Sequence, residues 1–152
     1  MSTLENIRDI FSILHDGTIV SWAGDRHKLT LEVECLYLAK RLDASFDKFY
    51  IELKQITELQ LSTWPNPIDR PARVLTGPAD IFKADLEILS SEIKDNRVLL
   101  ACNQADAKFD YCGGNVALNC YEIKISDQNK QEISINKLIE ICKSYWDNFT
   151  KK

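Results

Sequence analysis

The chain has 152 residues, 45% hydrophobic and 28% charged, which excludes intrinsic disorder and predicts one domain, residues 1–152, around one core. Nineteen Lys and Arg against 23 Asp and Glu give a net charge of -4, which argues against nucleic acid as a partner, because phosphate contacts need a concentrated basic surface. No uncharged apolar run reaches the ~18–20 residues of a membrane span, and Glu5 and Asp9 stand where a secretory leader would be cationic, so a cytoplasmic setting is expected.

A first helix is predicted over 2–14. Ser2 and Glu5 form a capping box, and Leu4, Ile7, Ile10, Phe11 and Leu14 fall on one face at helical period. His15-Asp16-Gly17 ends it, with Gly17 expected to take positive φ, and the β-branched Thr18, Ile19 and Val20 open a strand over 18–23. After a Gly24-Asp25 turn a second strand is predicted over 28–38, with Leu29, Leu31, Val33, Cys35 and Tyr37 on one side and Thr30, Glu32 and Glu34 on the other. Leu36 and Leu38 add apolar side chains to the wet side, so this end of the strand needs a cover.

Beyond a polar break at Asp43–Asp47, alternation predicts two further strands. Phe49, Ile51 and Leu53 mark one, and Leu59 and Leu61 mark the other, which makes four strands in a meander. Pro65, Pro67, Pro71 and Pro78 then exclude a central strand and predict a stiff loop over 62–79. A helical turn at 79–83 and a strand at 86–93 follow, then an Asp95-Asn96 turn and the run Val98–Cys102, apolar on both faces and read as a buried central strand.

Residues 106–115 read as a polar loop ending in Cys112-Gly113-Gly114-Asn115. Val116, Leu118 and Cys120 then alternate in one phase and Tyr121, Ile123 and Ile125 in the other, which predicts a bulge or a change of covering. After a hairpin loop at 126–130, Ser134 caps a closing helix whose stripe is Ile135, Leu138, Ile139, Cys142, Tyr145, Trp146 and Phe149. The expected fold is α+β: a single twisted, mostly antiparallel sheet of about seven or eight strands, with the N- and C-terminal helices packed on its apolar face.

Cys112 is the most site-like residue, because paired glycines let backbone approach a ligand and a loop thiol near a base can act as a nucleophile. His15 and His27 are the two histidines, and His15 also stands next to Asp16, a combination used in acid–base chemistry. The structural alternatives are a buried thiol beside a glycine turn, and a helix C-terminus with a favourable His and a turn-forming Asp. Five cysteines, an odd number without a C-x-x-C pair, suit reduced thiols, and the Cys112–Cys120 spacing is too long for paired zinc ligands. No metal and no cofactor is expected.

The loop over 62–79, with Trp64, Asp69, Arg70 and Arg73, is the candidate binding element, since long connections are uncommon and often functional while proline lowers the entropy lost on binding. Its structural alternative is cover for a sheet edge with Trp64 buried beneath.

The run Leu14-His15-Asp16-Gly17-Thr18-Ile19, followed by the Gly-Asp turn and the strand Leu29-Thr30-Leu31-Glu32-Val33, resembles small uncharacterised bacterial proteins that open their sheet with a His-Asp-Gly or His-Asp-Ala strand. Some of these are grouped with immunity proteins of toxin systems. The likeness covers residues 14–40 and leaves out the Pro-rich loop and Cys112-Gly113-Gly114. It implies a cytosolic α+β protein that works by binding another protein, with no catalytic residues to carry over.

The function expected is therefore a non-enzymatic protein-binding module, immunity-like, with a thiol-dependent enzyme or redox sensor using Cys112 as the alternative. Self-association through sheet edge or helix surface is a third reading.

Overall fold

A computed structural model describes residues 4–150; Ser2 of the expected capping box and the side chain of Phe149 lie outside what is described. In chain order the elements are α1 (Leu4–Ile13), β1 (Thr18–Gly24), β2 (Lys28–Glu34), α2 (Leu36–Leu42), β3 (Lys48–Pro65), β4 (Val74–Leu75), α3 (Pro78–Ile81), β5 (Leu86–Lys94), β6 (Arg97–Asn103), β7 (Tyr111–Ser126), β8 (Glu132–Ile133) and α4 (Ile135–Thr150). The fold is α+β, with one eight-stranded sheet and antiparallel pairing throughout.

The pairings form a circuit. From β3 they run through β2, β1, β5, β6 and β7 and return to β3, with β4 and β8 as short flanks. The β3–β7 ladder is long, thirteen residue pairs from Tyr50↔Ser126 to Pro65↔Tyr111, whereas β1 and β5 meet only at Thr18↔Glu87 and Ile19↔Leu86. Two backbone hydrogen bonds, from Asp16 N to Ile88 O and from Ile88 N to Gly17 O, extend that short seam.

Alternation along the strands points one side chain in two toward a common core: Leu29, Leu31 and Val33 of β2, Phe49, Ile51 and Leu53 of β3, and Val98, Leu100 and Cys102 of β6 are all buried. On the opposite face of β2, β3 and β7 the charges pair across strands, Lys28 with Glu52 at 3.7 Å and Lys54 with Glu122 at 3.8 Å. Helix α1 lies across β5, β6 and β7 and buries Ile7, Ile10 and Phe11, while α4 lies against α1 and α2. Each such side chain contributes about 1.5–3 kcal/mol by leaving water. Ser134 caps α4 as expected, its Oγ accepting from Lys137 N at 3.0 Å.

Several local expectations are corrected. Residues 36–42 are helix α2 and not the end of a strand: Cys35 N donates to Asp47 O, which turns the chain, and Leu38 and Ala39 are buried on one helical face. The apolar residues on both sides of the expected strand were the sign of a change of period. The two strands expected between 48 and 61 are one, β3, which runs on through Gln55 at φ 51° and carries an extra residue, Thr57, where the register shifts between Ile56 and Glu58.

The positive φ at the end of α1 belongs to Asp16 (φ 69°) and not to Gly17. Gly17 is needed for space instead: a Cβ there would lie 2.8 Å from the Leu14 carbonyl oxygen and 3.2 Å from the Cys35 Cβ. On α4, Ile139 and Trp146 are 44% and 37% exposed, and the stripe is completed by Ile141, which is buried.

Candidate functional site

β3 runs on to Pro65, so the expected 62–79 loop shrinks to a hairpin connection over 66–73 before β4 returns antiparallel to β3, with Leu61 opposite Leu75. Three prolines, Pro65, Pro67 and Pro71, restrict φ through it. Its base is bonded from both sides. Thr63 N donates to Arg73 O at 2.9 Å, and Arg73 N donates to the buried Thr63 hydroxyl oxygen at 2.8 Å. Asn66 N donates to Asp110 O at 2.9 Å, and the Arg73 guanidinium pairs with the Asp110 carboxylate while lying 5.9 Å from the Tyr111 ring centroid. At the tip Arg70 N donates to Pro67 O.

This frame holds Ile68 out in water at 91% exposure, with Val74 on the outgoing arm at 57%. A branched apolar side chain so exposed on a tethered loop contributes almost nothing to the fold. Of the residues singled out in the sequence, Asp69 and Arg70 stand exposed beside Ile68, Arg73 is engaged in anchoring, and Trp64 is half-buried on β3. Ile68 itself was missed; its signal is a lone aliphatic residue set among prolines and polar residues.

Cys112 and His15 are not brought together. Cys112 is on β7 rather than in a loop, its thiol exposed and 3.7 Å from the Trp64 carbonyl oxygen, and among the described residues its thiol has no hydrogen bond to a histidine. The glycines after it are required by strand packing: a Cβ on Gly114 would run into the Ser62 carbonyl and one on Gly113 into the Cys102 carbonyl, and Gly113 has φ +145°. Burial pushes the thiols of Cys35 and Cys102 up to about 12 and that of Cys120 up to about 11. His15 closes α1, its Nδ1–H donating to Ser12 O at 2.9 Å, its ring stacked 5.9 Å from that of Trp146, and its Nε2 3.8 Å from the exposed Asp16 carboxylate. The Tyr37 hydroxyl donates to the His15 carbonyl at 2.8 Å, so this corner is a packed aromatic joint between α1, α2 and α4.

A second concavity was not singled out from the sequence. A cleft of about 660 Å³ opens beside the β1–β5 seam, lined by Thr18, Lys83, Asp85, Glu87, Asn103 and the turn 104–108.

No family model matches this sequence, and no curated protein or solved structure shows a significant match to it. Among the described residues no helix is long and apolar enough to cross a membrane, and no group of three or more His, Cys, Asp or Glu is placed to hold a metal ion.

Proposed function

We propose that the chain is a non-enzymatic, cytoplasmic protein-binding module, immunity-like, which engages its partner by seating the tip of the 66–73 loop in an apolar cleft. The observation that carries this reading is Ile68, 91% exposed at the head of a loop whose two stems are fastened to each other and to Asp110. Exposing an aliphatic side chain is costly in solubility and neutral for folding, and rigidity cuts the ordering entropy that a partner must otherwise overcome. Arg70 beside it supplies a charge for orientation, and the net charge of -4 speeds encounter with a cationic partner.

The test compares the wild-type chain with Ile68→Asp and Arg70→Glu as baits in the native lysate. A protein retained by wild type and lost from both variants, whose melting curves match wild type, supports the reading. Equal retention by all three removes it.

A further inference from the structure

We infer that the cleft at the β1–β5 seam is a binding site for a small zwitterion of the short-peptide class. Cross-strand pairing places Thr18, Glu87 and Asn103 side by side in one row across three strands, at the ~5 Å spacing of directly opposed residues. Lys83, in the turn after α3, and Asp85 are exposed on either side of the buried Ala84, and with Glu87 at the start of β5 they line the cleft together.

The facing wall is preorganised. Gln104, 5% exposed, donates from Nε2 to Tyr111 O at 2.8 Å and to Asp106 O at 3.0 Å, and its Oε1 accepts from Asp106 N, while Asp106 Oδ1 accepts from Lys108 N at 3.0 Å. That wall carries Lys108, whose Nζ lies 5.2 Å from the Phe109 ring centroid; Lys83 reaches the same ring at 5.8 Å from across the cleft.

The chemistry of the lining selects the ligand. Two ammonium groups gather around Phe109, and two carboxylates line the cleft, Glu87 in the row between Thr18 and Asn103 and Asp85 just before β5. Lys108 is drawn to Asp106 at 3.5 Å in open solvent, but among the described residues the side chains of Thr18, Lys83, Asp85, Glu87 and Asn103 have no hydrogen bond or ion pair. The outer face of β2, β3 and β7 differs, because there the charges answer each other across strands. A simple anion would leave the two carboxylates unanswered and a simple cation would leave Lys83 so. A molecule with a carboxylate at one end and an ammonium at the other answers both. The volume falls in the ~300–1,000 Å³ range of ligand pockets and exceeds what one free amino acid fills, so the two charges of the ligand sit several bonds apart.

The test titrates the full chain with triglycine and follows the backbone amide resonances of residues 18, 83–87 and 103–108 by NMR. N-acetyltriglycine, which keeps only the anion, and triglycinamide, which keeps only the cation, serve as single-charge probes. Saturable shifts with triglycine are expected, with each blocked peptide binding about tenfold or more weaker, the equivalent of one charge-assisted contact. Lys83→Met and Glu87→Gln are each expected to weaken triglycine by a similar factor. An absence of saturation, equal binding of all three peptides, or tighter binding of a blocked one overturns the inference. The wild-type comparison decides even where a variant is lost to misfolding.

Discussion

Arg73 and Asp110 fasten the outgoing arm of the 66–73 loop to the segment that opens β7, and the Asp110 backbone carbonyl takes the incoming arm through Asn66. Both side chains are more than a third exposed, so the ion pair itself is worth only about 0–1 kcal/mol after solvent screening. Asp110→Ala is therefore expected to change global stability by less than about 1 kcal/mol in urea melts. The same variant should raise amide exchange locally at Asn66, Arg70 and Arg73. Unchanged exchange at these positions would mean that the prolines alone hold the loop.

Thiol chemistry separates the cysteines. Cys112 is exposed, whereas burial raises Cys35, Cys102, Cys120 and the half-buried Cys142 above the ordinary thiol value and blocks access to the first three. Iodoacetamide at mildly alkaline pH should alkylate native protein first at Cys112, read by peptide mass spectrometry, and Cys112→Ser should abolish the fast adduct. The alternative reading of Cys112 as a reactive nucleophile requires labelling well below the ~8.5 of a free thiol. Labelling only at and above that value would dispose of it.

Two glycines should respond oppositely to alanine. At Gly114 the new methyl would run into the Ser62 carbonyl between two paired strands, so Gly114→Ala is expected to destabilise by about 1–3 kcal/mol or more. At Gly77 nothing lies within 4 Å of the added carbon and the backbone has φ -93°, which alanine adopts freely. Gly77→Ala is expected to be neutral or to stabilise by up to about 1 kcal/mol through the unfolded chain. Thermal or urea melts of the two variants suffice.

Acid should weaken the fold through two turns. Backbone N–H groups of His27 and Lys28 hold the Asp25 carboxyl below its ordinary 3.8, and the Ser45 hydroxyl and N–H do the same for Asp43. Because the folded values are depressed, both contributions are complete above pH 3.8 and are lost as the pH falls below it, through the folded values. Urea melts between neutral and strongly acidic pH should show a shallower acid loss for Asp25→Ala and Asp43→Ala than for wild type. Parallel curves would assign the acid sensitivity elsewhere.

Helix α1 was legible because Ile7, Ile10, Phe11 and Leu14 recur at 3.6 residues and all four are buried; β2 and the first half of β3 were legible because Leu29 to Val33 and Phe49 to Leu53 alternate strictly. Over 35–38 both periods fit the same residues, and the bond from Cys35 N to Asp47 O, invisible in the chain, decided for helix. The circuit through β3 and β7 was not legible, since alternation says which face a strand buries and never which strand lies beside it. The loop was found by its prolines, but its exposed head was not, because Ile68 is recognisable only once the stems are known to leave it unburied. The cleft was hidden for a similar reason: Thr18, Glu87 and Asn103 come from three strands that only the register aligns.

Within the circuit of β3, β2, β1, β5, β6 and β7 the β1–β5 junction is the slack stitch, two ladder pairs against thirteen at β3–β7. Partial opening under heat or pulling should start by parting β1 from β5 while the β3–β7 spine stays zipped. Whatever lodges in the neighbouring cleft acts as a clasp across that slit, so occupancy there would be felt as resistance of the whole shell to unwrapping.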